Sequence, residues 1–258
     1  MMTAISIAST TLPIGREGEQ TEMRHRVYRE TFDDGAGGWI AWLGHNRPVA
    51  AEVVDGALIS RSPWGIDSNH AFPGGGYLHL LFILMTAPRP NLGPPYGPLS
   101  ASNRFIAGGY STDLRNAKLT VRIKGYAQLR GAKLVLHCQA QRGDIAINFV
   151  LNGQPFEITP EWSEQTVTLT TDPDQWLCLG ARHDLLDVYG WGGIEDVLAD
   201  VNIDILLLLH PLEIVPLTPE AQGIHHRRPE VDYPVDTSYL PEGYLMLDEV
   251  RLEYPASH

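Results

Sequence analysis

Hydrophobic residues along this chain occur in short runs that are separated by turn-forming residues. Within Lys118–Gly125, the apolar residues Leu119, Val121 and Ile123 alternate with polar ones. Such period-two alternation is typical of strands that bury one face. Similar runs predict strands at Trp39–Leu43, Ala57–Ser60, Tyr77–Met85, Phe105–Tyr110, Lys133–Ala140, Ile145–Leu151, Gln165–Thr170, Val201–His210 and Tyr244–Tyr254. The pattern therefore predicts an all-β protein, an antiparallel β-sandwich of about ten strands.

Helical periodicity is scarce, and glycine and proline divide the chain into strands and loops. Gly193–Ala199 is the one helix candidate, and it is one or two turns long. Asn152-Gly153 directly follows a predicted strand and is typical of a hairpin turn. The proline-rich stretches Pro88–Pro98 and Pro211–Pro241 predict long loops, because proline cannot donate to a strand ladder.

The length and the polar composition favour one sandwich domain. The chain has 258 residues, and its hydrophobic fraction of 43% is enough for a sizeable core. Residues 1–27 are polar and unpatterned, so we expect an N-terminal arm followed by a single domain over residues 28–258. The start of the chain lacks the basic region of a signal peptide. A cytoplasmic location and a removed leader both remain open, as does the oligomeric state.

The charge of the chain excludes some classes of partner. Lysine and arginine number 19 and aspartate and glutamate 31, which gives a net charge of −12. Nucleic acids and anionic membrane surfaces need a basic face, so neither is expected as a partner. The two cysteines, Cys138 and Cys178, lie in strand-like segments; two free thiols and a single disulfide are both possible.

Three short segments stand in an order that points to a known family. They are Phe32–Gly35 followed by Gly38-Trp39, the run Asp113–Gly125, and the C-terminal strand Leu247–Leu252. This order resembles the jelly-roll carbohydrate-binding modules of the galactose-binding-like type. In those modules an "F-acid-x-G…G-W" opening and a final "D-[DE]-[VI]-x-L" strand bracket the fold. The resemblance covers most of the chain and implies a jelly roll, but a fold does not by itself define a function.

The resemblance also implies a structural calcium ion. An acid of the opening segment and the first acid of the final strand share it in that family, and these are Asp33 and Asp248 here. Calcium takes about six to eight oxygen ligands, so backbone carbonyls of adjoining turns would complete the set. The alternative is that Asp33 is a turn residue and Asp248 a solvated strand residue.

The segment Trp64–His79 has the most unusual composition in the chain. Its glycine-rich stretch Pro73–Gly76 favours a sharp bend or a close approach of backbone to a ligand. The candidate residues of this segment are Trp64, Asp67, Asn69, His70, Tyr77 and His79. Histidine titrates near neutral pH, so the segment predicts a binding pocket or an acid–base site. The alternative is a polar loop followed by an ordinary half-exposed strand histidine.

A second group of candidates lies on the predicted strands and loops. His137 and Gln139 occupy the polar face of one strand, and Arg122 of the preceding strand and Asn148 of the following one could complete a row. Such a row suits a sugar-binding sheet, and it also suits any solvent-facing sheet. Two aromatic residues, Tyr96 and Trp191, lie in loop-like contexts where a sugar ring can stack. Asp204 interrupts an apolar strand and is expected to pair with an arginine, a histidine or a hydroxyl across the sheet.

Three hypotheses for the function follow from these residues. The first is a carbohydrate-binding protein in which Trp64, Tyr77 and Trp191 stack on a glycan. The second is a lyase, isomerase or hydrolase on the same sandwich that acts on a glycan or small polar metabolite, with His70 or His79 as base and Tyr77 or Tyr96 as acid. The third is a structural or subunit-interaction protein. The sequence contains no nucleophile, phosphate-loop or dinucleotide motif, so no organic cofactor is expected.

Overall fold

The computed structural model describes residues 27–42, 48–67, 77–89, 97–98, 103–181, 186–213, 218, 231 and 238–256. The strands in these ranges are β1 (Val27–Glu30), β2 (Ile40–Trp42), β3 (Pro48–Ala50), β4 (Glu52–Val54), β5 (Ala57–Arg61), β6 (Ile66–Asp67), β7 (Tyr77–Met85), β8 (Lys118–Gln128), β9 (Lys133–Arg142), β10 (Ile145–Val150), β11 (Ser163–Thr168), β12 (Leu177–Cys178), β13 (Tyr189–Gly190), β14 (Asp204–Leu212) and β15 (Glu242–Glu253). The helices are α1 (Arg104–Ala107), α2 (Ile194–Ala199) and a 3₁₀ turn at Pro173–Gln175.

The strands form two sheets, which confirms the predicted all-β sandwich. Sheet A has the order β11-β8-β15-β5-β4, and β1 also pairs with β15. Sheet B has the order β12-β10-β9-β14-β7-β2-β3, with β6 beside β7 and β13 beside β10. The pairings are antiparallel except that between β10 and β13.

Two tryptophans show which face of sheet B meets sheet A. Trp39, which precedes β2, donates its indole N–H to the Tyr28 hydroxyl of β1 at 3.2 Å. Trp64 donates to the Ser60 hydroxyl of β5 at 3.0 Å, and its ring lies 5.8 Å from that of His79 in β7. The face of sheet B that carries His79 is therefore the inner face. Buried residues of both sheets form one hydrophobic cluster, which also includes residues on the opposite face of sheet B.

The strand register extends this assignment across sheet B. His79 of β7 lies opposite Leu209 of β14, and Leu209 lies opposite Leu134 of β9. Directly paired residues share a face and neighbours along a strand alternate. The inner face of β9 therefore carries Leu134 and Cys138, while His137 and Gln139 belong to the opposite face, called here the outer face of sheet B.

Two local predictions were wrong. Phe105–Tyr110, predicted as a strand, contains most of α1, so the described residues hold two short α-helices where at most one was expected. Asn103 sets the start of this helix, because its side chain accepts hydrogen bonds from the N–H groups of Phe105 and Ile106 and donates to the Met85 carbonyl at 2.7 Å. Asn152-Gly153 is a turn but not a hairpin, since β10 and β11 belong to different sheets.

Several other predictions are confirmed or refined. The predicted helix Gly193–Ala199 is present as α2, and Pro211, expected to begin a loop, lies within β14. Cys138 and Cys178 are both free thiols, and burial raises the pKa of Cys138 far above its usual range. In the described part of the chain, no helix is long and apolar enough to cross a membrane. The predicted arm, residues 1–27, lies outside the described residues except for Val27, which begins β1.

Candidate functional site

A row of polar side chains crosses the outer face of sheet B. Asn148 of β10 lies directly opposite Gln139 of β9, and Gln139 lies directly opposite Asp204 of β14. Adjacent strands are about 4.8 Å apart, so the three positions span roughly 10 Å. His137 lies two residues from Gln139 on the same face of β9. All four side chains are buried, and we refer to them as the polar row.

Apolar side chains surround the polar row on the same face. Val150 of β10 and Leu206 of β14 flank His137, and Val135 and Leu208 pair one step further along the sheet. All of these neighbours are buried. A group of polar residues in such surroundings must be satisfied by partners, because the desolvation of each group is costly.

The polar row contains the partner that the sequence predicted for Asp204. Its Oδ1 lies 3.9 Å from Nδ1 of His137, across the strand pair β14–β9. This distance is longer than a hydrogen bond, so the two groups attract each other chiefly when the imidazole is protonated. Asp204 was not among the predicted ligand-binding residues, although a charge within an apolar strand was the signal for its importance.

Asn148 is the member of the row for which the described residues provide no hydrogen-bond partner. Its side chain is fully buried, and neither Oδ1 nor Nδ2 has a hydrogen-bond partner among the described residues. An unsatisfied buried polar group costs about 1–3 kcal/mol of stability. The amide presents one acceptor and two donors side by side, which is the pattern that binds neighbouring hydroxyl groups.

Trp191 lies at the edge of sheet B, directly after the strand β13 that pairs with β10, the strand of Asn148. It follows β13, and its indole packs on Gly180, where a Cβ would come within 2.3 Å of the ring. The backbone N–H of Leu179 donates to the Asn148 carbonyl at 3.0 Å, which ties this corner to β10. Trp191 is 55% exposed, so this predicted stacking residue has a ring face that solvent can reach.

The described ends of the segment Trp64–His79 are placed differently from the prediction. Trp64 and His79 are buried between the two sheets rather than in a ligand-facing loop, because β7 turns His79 to the inner face. Tyr77 packs against the core at the start of β7, and Asp67 lies in β6. Asn69, His70 and Tyr96 lie outside the described residues.

His79 is held as a neutral core histidine. Its Nδ1 donates a hydrogen bond to the Gly65 carbonyl at 3.0 Å, and its Nε2 is buried with no hydrogen-bond partner among the described residues. Burial lowers the pKa of His79 to about 4. As placed, the imidazole packs in the core beside Trp64, and its role as a base stays a prediction.

Arg122 does not join the polar row, because the predicted adjacency of its strand and the strand of His137 was wrong. β8 belongs to sheet A and β9 to sheet B, so the chain crosses between the sheets at this connection. On the outer face of sheet A, Arg122 donates to Asp248 and lies over the ring of Trp162.

The predicted calcium ligands lie apart from any carboxylate cluster. Asp33 accepts a hydrogen bond from the Thr31 hydroxyl at 2.7 Å, and Asp248 accepts one from Arg122. Among the described residues no group of three or more histidine, cysteine, aspartate or glutamate side chains is placed to hold a metal. These two carboxylates, each with a donor already, do not by themselves supply the six or so oxygens that calcium needs. Calcium binding stays a prediction.

Chelation tests the calcium hypothesis. If Asp33 and Asp248 bind calcium, EGTA is expected to lower the thermal midpoint of the protein, and added calcium is expected to restore it, since a ligand of the folded state alone stabilises that state. Asp248→Asn should abolish the response. An unchanged midpoint, together with no calcium in elemental analysis, rejects the hypothesis.

Comparisons with known proteins give limited information about this site. The chain matches no family model and no curated protein sequence. One solved structure with detectable similarity comes from work on endo-acting O-glycanases that prominent members of the human gut microbiota express to initiate mucin breakdown. It is 12% identical, with a TM-score of 0.39, and the alignment covers 89% of this chain and 99% of that chain. A similarity at this level carries no inference about function.

Proposed function

We propose that this protein binds a saccharide on the outer face of sheet B. The observation that carries the proposal is the buried Asn148 amide, which has no hydrogen-bond partner among the described residues. Sugar hydroxyls both donate and accept, so two neighbouring hydroxyls match the donor and acceptor of one amide. Gln139 and Asp204 continue the same row and offer further polar contacts to the same ligand.

Trp191 supports a saccharide rather than another small polar ligand. The C–H face of a sugar ring stacks on an aromatic ring, and an exposed indole beside a row of polar groups provides both kinds of contact. The indole is held in place by Gly180 and by the pairing of β12 and β13 with β10. The proposal therefore uses Trp191 as the stacking residue and does not use Trp64 or His79, whose roles stay predictions.

Substitution of Asn148 tests the proposal. A glycan array identifies a ligand for the wild-type protein, and calorimetry then measures its affinity. Asn148→Leu has a similar shape but no polar atoms, so we expect binding to weaken at least tenfold while the thermal midpoint stays unchanged or rises, because an unsatisfied buried amide is removed.

A matched control separates binding from folding. Asn152→Leu changes an exposed asparagine in the turn after β10, and it should alter neither affinity nor the thermal midpoint. If Asn148→Leu keeps full affinity, or if it loses affinity only together with folding, the site is not the polar row. If no glycan binds, the structural or subunit-interaction hypothesis is favoured instead.

One observation favours the enzyme hypothesis as a second candidate. The His137 imidazole lies 3.9 Å from the Asp204 carboxylate, and a carboxylate beside a histidine is the arrangement that orients a general base. In this hypothesis His137 is the candidate base; the predicted roles of His70, which lies outside the described residues, and of His79 stay predictions. Incubation of the bound glycan with the protein, followed by mass spectrometry, distinguishes the two functions: a binding protein returns the glycan intact, and an enzyme returns a product whose formation His137→Asn abolishes.

A further inference from the structure

The outer face of sheet A exposes two tyrosines that the polar row does not use. Tyr126 of β8 and Tyr244 of β15 are direct cross-strand partners. They are 57% and 37% exposed, which is unusual for large aromatic side chains. Tyr126, Lys124 and Arg122 are alternate residues of β8, so their side chains lie on the same face of sheet A.

Trp162 extends this aromatic surface at the start of β11. The Lys124 ammonium lies 4.6 Å and the Arg122 guanidinium carbon 5.0 Å from the centre of the Trp162 ring. Both distances are within the range of cation–π interactions, which orient the two cations over the indole. We call Tyr126, Tyr244, Lys124 and Trp162 the sheet A platform.

The charges on this face leave Lys124 without an ion-pair partner among the described residues. The described arginines of the face each have a carboxylate partner: Arg122 pairs with Asp248, Arg61 with Glu52 at 2.6 Å, Arg29 with Glu249 at 2.8 Å, and Arg251 with Glu249 at 3.5 Å. Lys124 forms no ion pair with any described carboxylate, and its ammonium lies over the Trp162 ring. The platform therefore presents the charge of Lys124 between the half-buried ring of Trp162 and the exposed rings of Tyr126 and Tyr244.

We propose that the sheet A platform binds a saccharide chain that carries carboxylate groups. The carboxylate of a uronic acid unit pairs with Lys124, and the sugar rings of the chain stack on Tyr126 and Tyr244. Alternate residues of β8 are about 6.7 Å apart and paired residues of β8 and β15 about 5 Å apart. Lys124, Tyr126 and Tyr244 are thus close enough to contact neighbouring units of one chain.

The net charge of the protein favours carboxylates spaced by neutral sugars over dense sulfation. A chain of net charge −12 repels a polyanion, and to offset that repulsion the described part of this face has only two lysines without an ion pair, Lys124 in the platform and Lys118 six residues away along β8. A single carboxylate needs one ammonium group, which Lys124 supplies. This binding surface lies on the sheet opposite the polar row and is independent of the function proposed for it.

A matched pair of oligosaccharides tests the platform. The probes are a hyaluronan hexasaccharide, in which every second sugar carries a carboxylate, and the same hexasaccharide after reduction of its carboxylates to alcohols. We expect calorimetry to show at least tenfold tighter binding of the carboxylate form by the wild-type protein. Lys124→Gln should remove this preference, and the double substitution Tyr126→Ala with Tyr244→Ala should weaken the binding of both probes at least tenfold.

Three controls make the result specific. Asn148→Leu should bind both probes like the wild type, which separates the platform from the polar row. Lys133→Gln removes an exposed lysine of sheet B and should keep the preference. Thermal melts establish that each variant is folded. The proposal is overturned if the wild type binds neither probe, if Lys124→Gln keeps the preference, if the tyrosine variant binds normally, or if a heparin oligosaccharide binds more tightly than the hyaluronan one.

Discussion

Replacing Arg104 with methionine is expected to lower the free energy of unfolding by about 3 kcal/mol at neutral pH. Arg104 Nη1 donates to Glu30 Oε1 at 2.7 Å, and Glu30 is only 2% exposed. Burial raises the pKa of the Glu30 carboxyl, and Arg104 opposes that rise. Without Arg104 a buried carboxylate loses its cation. The loss should lie at the low end of the range for buried pairs, because the Arg104 side chain is itself 43% exposed.

Urea unfolding of two further variants checks the cause of this loss. Arg61→Met breaks the Arg61–Glu52 bridge, in which both side chains are at least 50% exposed, and should cost under about 1 kcal/mol. Glu30→Gln in the Arg104→Met background should recover part of the loss, because it removes the unpaired charge. Equal losses for Arg104→Met and Arg61→Met would show that Glu30 does not depend on the pair.

The pH dependence of Arg104→Met has a definite sign. A carboxyl whose folded-state pKa lies above its unfolded value binds more protons in the folded state, so its contribution to stability falls as pH rises through that interval. Removal of Arg104 raises the folded-state pKa of Glu30 further. The variant should therefore lose more stability, relative to the wild type, at pH 8 than at pH 5.

The two-sheet fold was predictable because alternation along the long strands was clear. β7 has the predicted bounds, and β8, β9, β10 and β15 differ from prediction by only a few residues. Which strands pair with each other could not be predicted as well, because the hydrophobic pattern of a strand does not identify its neighbour in the sheet. The Asn152-Gly153 turn and the connection from β8 to β9 both cross between sheets, although each resembles a hairpin in sequence.

The opening motif, Phe32–Gly35 followed by Gly38-Trp39, was recognised from the sequence alone. Only the structure explains why this segment is rich in glycine. A Cβ at Gly37 would lie 2.2 Å from Glu30 Oε2, and one at Gly38 would lie 2.4 Å from the Asn103 Cα. Both glycines also have positive φ angles of 61° and 87°. They allow the loop after β1 to pack on Asn103 and Arg104, about 65 residues further along the chain, a contact that no local pattern indicates.

The candidate sites show the same division between what local patterns reveal and what they do not. His137, Gln139 and Asn148 were correctly placed on one face, because alternation fixes the face of a strand. Arg122 was wrongly added to them, since that step required knowledge of sheet membership. Tyr126 was overlooked, although it continues the alternation of Arg122 and Lys124; its partner Tyr244 could not be assigned without the register of β15.

Acid is expected to destabilise this protein through His79 by about 3 kcal/mol between pH 6.5 and pH 4. Nδ1 already donates to the Gly65 carbonyl, so an added proton must go to the buried Nε2. Burial lowers the pKa of His79 to about 4, against an unfolded value of 6.5. Within that interval the unfolded chain binds more protons, so the stability due to this residue is complete above pH 6.5 and is lost as pH falls.

His79→Asn isolates this contribution, because asparagine can still donate to Gly65 but does not titrate. The variant should be less stable than the wild type at pH 7.5, since a smaller side chain leaves a cavity. Urea unfolding at intervals from pH 7.5 to pH 4 should then show the wild type losing about 3 kcal/mol more than the variant. Titration of the labelled His79 ring by NMR provides a direct measurement of its pKa. Parallel stability curves, or a measured pKa near 6.5, would show that the ring accepts a proton without unfolding the core around Trp64.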